Sequence, residues 1–260
     1  MILYIVPVPI GNLRDITLRA IDILKSVDFI IVEDTRHSLK LLNKLEIKKR
    51  LYSYYKPKEE EKSAKIIELL KSGNGALITD SGTPVISDPG HILITKAIKS
   101  GIEIISLPGP TAFVPAITNS GIRSDMFLFA GFSPRKGGKL RNYLKALSEL
   151  KCTIIFYESP KRVKNFLNTA YEIFGDRTFS ISKELTKINE KICRGNLKNY
   201  ISTLGEIKLQ GEFVIVIEGS KGGKNGESPD LNSVEDIYDY FKEKYNISRN
   251  KIKKILMRRK

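Results

Sequence analysis

The stretch Ala76-Leu77-Ile78-Thr79-Asp80-Ser81-Gly82-Thr83-Pro84-Val85-Ile86-Ser87-Asp88-Pro89-Gly90 decides how this chain is read. The run Ala76-Leu77-Ile78-Thr79 has the length and composition of a strand, and it stops at a loop bracketed by two Pro/Gly turns. Glycine and proline fix unusual backbone shapes where any turn would serve as a mere connection. Such a loop lets a ligand approach the backbone closely and offers it amide and carbonyl groups, and loops on a rigid scaffold are the usual carriers of function. Asp80 and Asp88 fall in this loop with no basic residue between them, so a cationic ligand suits it better than a triphosphate. Neither a GxxxxGK[ST] phosphate cradle nor a GxGxxG with an acidic partner occurs.

The same pattern recurs on both sides. Leu3-Tyr4-Ile5-Val6 leads into Pro7-Val8-Pro9-Ile10-Gly11-Asn12, and Phe29-Ile30-Ile31-Val32 into Glu33-Asp34-Thr35-Arg36. Ile102-Glu103-Ile104-Ile105 leads into Ser106-Leu107-Pro108-Gly109-Pro110. Between these runs Leu18, Ile21 and Leu24 share one helical face, as do Ile66, Ile67, Leu69 and Leu70 before a stop at Gly73. Alternating strands and helices predict parallel βα units, whose ligand crevice lies beyond the carboxyl ends of the strands. At the fourth tip, Thr111 and Ala112 leave room for a flat ring; a helix N-terminus with Pro in its first turn reads the same residues equally well.

Further strands are expected over 127–132, 153–157, 178–182 and 213–217, with a helix over 139–150 between the first two. The fold class is therefore α/β with two domains, a first of parallel βα units over 1–120 and a second α/β domain over 121–220. Residues 221–228 read as a flexible linker. Residues 229–260 read as a small basic helical tail: Ser233 and Asp236 resemble a capping box, and every charge from Arg249 to Lys260 is positive. That tail is either a helix-turn-helix-like nucleic-acid module or a solvated basic end.

Composition bounds the function. The 260 residues carry 44 Lys and Arg against 29 Asp and Glu, a net charge of +15 that favours polyanionic partners. A plain basic surface on a lysine-rich protein is the competing explanation. No run of eighteen apolar residues exists and the apolar start reads as a strand, so a cytoplasmic protein with no membrane partner is expected. Two separated cysteines and two histidines argue against structural zinc or a disulfide scaffold, and no metal ligand set is assigned.

Seven segments, in order, carry a resemblance: YIVPVPIGNLRD (4–15), EDTR (33–36), DSGTPVISDPG (80–90), LPGPTA (107–112), GFSPRK (131–136), YESP (157–160) and ELTK (184–187). Together they resemble the ribosomal RNA small-subunit methyltransferase I group of the tetrapyrrole methylase superfamily, over about residues 3–219. The resemblance implies a two-domain tetrapyrrole methylase-like fold with a mainly parallel N-terminal sheet and a mixed second sheet, a homodimer, and S-adenosylmethionine in a cleft between the domains. It also implies 2′-O-methylation of a cytidine ribose in the decoding region of small-subunit ribosomal RNA, as RNA or as the assembled 30S subunit. Carried over by position, cofactor contacts fall on Pro9, Ile10, Asp80, Gly82, Thr83, Ile86, Thr111, Ala112 and Tyr157. The chain departs from the group's usual residues at Ser81, Ser133 and Lys183.

Methyl transfer to a ribose hydroxyl needs in-line alignment and help in removing the hydroxyl proton. Glu184 is the candidate acceptor, with Lys183 or Lys187 stabilising the developing alkoxide; a surface ion-pair cluster is the plain alternative. Glu33, Asp34 and Arg36 are rivals, unless they cap a helix. His37 and His91 are read as ordinary surface or satisfied histidines. RNA contacts are expected at Arg36, Arg135, Lys136, Lys139 and Arg162, with Phe132 offering an aromatic face or filling the core, and Gly137-Gly138 in a loop that orders on binding. Two other functions stand against this one: methylation of a tetrapyrrole or a protein residue on the same fold, and a ribosome-binding factor without catalysis.

Overall fold

A computed structural model describes residues 1–221 apart from Glu206; the expected linker and basic tail lie outside the described residues, save Lys221. The chain alternates β1 (Ile2–Ile5), α1 (Leu18–Ser26), β2 (Phe29–Val32), α2 (Thr35–Lys44), β3 (Arg50–Ser53), α3 (Glu59–Leu70), β4 (Gly75–Ile78), α4 (His91–Lys99), β5 (Glu103–Ser106) and α5 (Phe113–Ser120). All five strands pair in parallel in the order β3-β2-β4-β1-β5. Strand alternation divides the side chains between two helical layers. Leu3, Ile5, Phe29, Ile31 and Leu77 pack on α3 and α4, whereas Ile30, Val32, Ala76 and Ile78 pack on α1 and α2. Thr17 and Asp34 cap α1 and α2 by accepting amide hydrogens from Ala20 and Arg36.

The second half adds β6 (Phe127–Phe132), α6 (Gly137–Leu147), β7 (Thr153–Glu158), α7 (Val163–Phe174), β8 (Thr178–Lys183), β9 (Lys191–Asn196), α8 (Tyr200–Gly205) and β10 (Phe213–Ile217). Its sheet runs β6-β7-β10-β8-β9, parallel only between β6 and β7. One face holds Phe156, Phe179 and Ile215 in a core with α6, α7, which contributes Phe166, and α8. The other packs Ile155, Val214 and Val216 against Ile10 and α5. That second packing fixes the loops of the parallel sheet against the mixed sheet.

The expected strand and helix alternation is present, and the structure adds edge strands β3 and β9. Both are partly exposed and open on a charged residue, Arg50 and Lys191, so neither forms an apolar run. Gly137 and Gly138, expected in a loop, instead form the first turn of α6, where no Cβ would meet an obstacle. No helix among the described residues is long and apolar enough to cross a membrane.

Candidate active site at the strand tips

The loops after β1, β2, β4 and β5 are tied to one another. Val8 and Gly82 exchange both backbone hydrogen bonds, at 2.9 and 3.0 Å, joining the first loop to the third. Thr83 Oγ1 donates to Pro110 O at 2.8 Å, joining the third to the fourth, and the Asp34 amide donates to Asp80 Oδ1 at 3.2 Å. On the far side Lys56 Nζ donates to Ser87 O and the Gly90 amide to Glu59 Oε1, each at 2.6 Å.

These ties hold a strained backbone. Val85 (φ 76°) and Ser87 (φ 70°) sit in the left-handed region that side-chain-bearing residues avoid, at a cost of about 1–3 kcal/mol each. Gly82 (φ 77°) adopts it without that cost. Gly131 (φ 65°) lies at an irregularity between β6 and β7, and a Cβ there would press on Ser87 Oγ at 3.3 Å. A β-bulge of the mixed sheet thus closes on the third loop.

Between them lies a cavity of about 360 Å³, within the range of small-ligand sites. Ile10, Gly82, Thr83, Ile86, Thr111, Ala112 and Tyr157, seven of the nine positions expected to bind cofactor, line it. Pro9 and Asp80 do not; both face a neighbouring groove. Phe132, 57% exposed, also lines the cavity and meets Tyr157 edge to face at 5.5 Å, so it is an aromatic wall and not core. Burial raises the Tyr157 phenol above its ordinary value, with hydrogen bonding to Thr111 opposing.

The charge of the lining is one-sided. It contains Asp88, Glu158 and Glu212, and no lysine, arginine or histidine. Glu158 is fully buried and neutralised: Arg162 Nη2 lies 2.5 Å from Oε1, the Ser159 amide donates at 2.7 Å, and Ser133 Oγ donates to Oε2. Arg162 also donates to Ser133 O at 3.0 Å. Its guanidinium therefore ties the GFSPRK turn to the YESP turn, and Ser133 has a definite role in that tie. Arg162→Met would leave a carboxylate buried without its cation, which costs about 3 kcal/mol. Urea denaturation at pH 7 should show that loss, and adding Glu158→Gln should recover part of it; a single variant within about 0.5 kcal/mol of the wild type would refute this role.

Asp88 is different. No hydrogen bond or ion pair is made by its carboxylate among the described residues, and it is pushed up to about 7, chiefly by burial and then by Glu33, against the pull of Lys56. Glu33 is likewise raised by burial and by Asp80. The sequence marks Asp88 only as an acid in the ligand loop, and Glu212 carries no signal there because it precedes a strand of the other sheet.

The three expected catalytic residues are brought together, but not into the cavity. Lys183 ends β8 and is 9% exposed. Lys187 Nζ lies between Glu184 Oε1 at 2.8 Å and Glu212 Oε2 at 3.0 Å. Burial works to raise the Glu184 carboxyl, but hydrogen bonds from Lys187 and the Glu212 amide outweigh it and hold the group below the usual range. An acid so stabilised in its charged form is a poor proton acceptor. Asp34 caps α2 and grips Arg36, which holds it well below the carboxylate range. Arg135, Lys136 and Lys139 are exposed at the start of α6, close in sequence to Phe132.

A parallel sheet whose tips meet a mixed sheet around an acidic, cation-free cavity defines a two-sheet α/β protein with a ligand site at the strand tips. Residues 2–200 match the family Tetrapyrrole (Corrin/Porphyrin) Methylases, and the chain belongs to that family. Within it, the chain is a member of the ribosomal RNA small subunit methyltransferase I group. It is 46% identical over 220 residues to the protein so named from Bacillus subtilis, covering 84% of this chain and 75% of that one. The namesake from Thermotoga maritima is 42% identical over 84% of this chain and 99% of its own, and that from Hydrogenobaculum is 46% identical over 84% and 95%.

Proposed function

We propose that the protein methylates small-subunit ribosomal RNA with S-adenosylmethionine, at the 2′-hydroxyl of a cytidine in the decoding region. It works in the cytoplasm, as a homodimer, on RNA or on the assembled subunit. The exposed apolar residues Val114, Met126 and Phe127, at α5 and the edge strand β6, favour self-association. Residues 1–120 and 121–220 act as the two domains that enclose the cofactor.

One observation carries the chemistry: the cavity wall holds carboxylates and aromatic or aliphatic surface but no cation. A ligand with a positive charge and a flat apolar part fits that wall; a phosphate-bearing cofactor does not. Gly82 supports the fit, because a Cβ there would point at Ile10 and Pro110 and narrow the cradle. When bound, S-adenosylmethionine supplies an electrophilic methyl group with a neutral thioether as leaving group.

The protein's residues do the rest. Ile10, Gly82, Thr83, Ile86, Thr111, Ala112 and Tyr157 hold and orient the cofactor, with Pro9 and Asp80 at the margin towards the groove. Asp88 accepts the hydroxyl proton, since a carboxylate near 7 is matched to that task while Glu184 is not. Glu184 positions Lys187, which with Lys183 lends positive charge to the developing alkoxide. Arg36, Arg135, Lys136 and Lys139 attract phosphates, and Arg162 shapes the wall behind them.

Mapping ribose methylation in small-subunit ribosomal RNA with and without the gene tests the assignment. One 2′-O-methyl cytidine should disappear; an unchanged map would overturn it.

A further inference from the structure

Beside the cavity runs a second hollow of about 350 Å³, walled by α2 on one side and by the first and third loops and Lys187 on the other. It shares Ile10, Ser81 and Glu212 with the cavity, so the two hollows meet across a common rim. Lys40 and Lys44 line it from α2, one turn apart on the same face, with His37 and Leu41 beside them. Neither lysine is paired with a carboxylate among the described residues. Within α2 itself (TRHSLKLLNK) there is no acid at all, whereas an ordinary solvated helix face mixes both signs.

We infer that this groove is the track of the RNA backbone, where Lys40 and Lys44 take phosphates of a single-stranded segment and deliver one ribose over the Ile10–Ser81–Glu212 rim. The inference rests on the RNA-methylating function proposed above. Charge favours this division between the hollows: the cavity wall carries Asp88, Glu158 and Glu212 with no cation, whereas the groove sets Lys40, Lys44 and Lys187 against Asp80 and Glu212. The rim is the shared boundary at which a hydroxyl from the groove side and a methyl group from the cavity side come together. Leu41 gives the ribose or base an apolar floor, as in other sites for unpaired nucleotides. Lys187 is already engaged by Glu184 and Glu212, so Lys40 and Lys44 are the lysines of the groove left for phosphates.

The test uses the full chain and transcribed small-subunit ribosomal RNA. Lys40→Glu/Lys44→Glu should raise KM for RNA by about 10-fold or more, affect kcat far less, and leave S-adenosylmethionine affinity unchanged by calorimetry. Loss of two phosphate contacts should also flatten the log–log salt dependence of RNA binding by about 1.4. Lys40→Arg/Lys44→Arg should restore KM to within about twofold, because only the charge is required at a phosphate contact. If the wild type methylates the RNA and the Glu variant keeps its KM and salt slope, the groove assignment is wrong. If the wild type neither binds nor methylates RNA, the function proposed above fails with it.

Discussion

Gly82→Arg is expected to abolish S-adenosylmethionine binding, with affinity falling more than about 100-fold, or more than about 2.7 kcal/mol. Three features converge at this residue. Its φ of 77° is one that any other L residue adopts at a cost. Its missing Cβ would point between Ile10 Cγ2 at 3.4 Å and Pro110 O at 3.7 Å, at the wall of the cavity. A long side chain continuing from there runs into the cavity of about 360 Å³ and obstructs it, and its guanidinium would compete for the carboxylates of Asp88 and Glu212 that would otherwise meet the ligand's charge. The backbone has reason to stay in place, since Gly82 N–H and C=O both pair with Val8. The fold should therefore survive with a melting temperature only a few degrees lower. Gly82→Ala, which adds strain and one methyl group, should fall between. Calorimetry on folded Gly82→Arg protein that returned an affinity within threefold of the wild type would place the ligand elsewhere.

The parallel sheet was legible in the sequence because its inner strands are buried on both faces and so read as unbroken apolar runs, as in Phe29-Ile30-Ile31-Val32 and Ala76-Leu77-Ile78. The edge strands were not: Lys191-Ile192-Cys193-Arg194-Gly195-Asn196 alternates a few apolar residues with charge, as one-sided burial requires, and resembles a loop. The loops that form the site were legible from their Gly and Pro content, because close backbone approach leaves that chemical trace. What could not be read was which side chains meet in space. Arg162 looks like a free surface cation until Glu158, one strand end away, is seen to be wholly buried beneath it. Glu184 looks like a base until Lys187 and the Glu212 amide are found on it. Lys40 and Lys44 look like solvated helix charges until the loop after β4 is placed opposite them. Burial and pairing set the strength of an acid or a cation, whether the partner is near, as Lys187 is to Glu184, or distant, as Glu212 is, and sequence spacing alone reports neither.

Asp88→Asn should separate the acid that takes the proton from the acids that only surround it. In the wild type, Asp88 faces Glu33, Asp80 and Glu212 as like charges and Lys56 as an opposite one, and burial is the largest influence on it. A carboxyl pushed up to about 7 is protonated below that pH and cannot accept a further proton. The pH profile of kcat/KM, which reports the free enzyme, should therefore rise with an inflection near 7 and level off above it. Asp88→Asn should lower kcat by about 100-fold, the scale of a lost general base, and remove the inflection. Linkage fixes the sign of a second readout. Between its ordinary 3.8 and about 7 the folded state holds a proton on Asp88 that the unfolded chain has released. Its contribution to stability is thus fully present below about 4 and lost as pH rises through 7. The Asn variant, which never ionises, should gain stability relative to the wild type between pH 5 and pH 8, by about 1–2 kcal/mol or a few degrees in melting temperature. A folded variant with unchanged kcat but weakened S-adenosylmethionine binding would make Asp88 a counter-ion for the ligand's charge. A variant with the wild-type rate and pH profile would remove it from the reaction altogether.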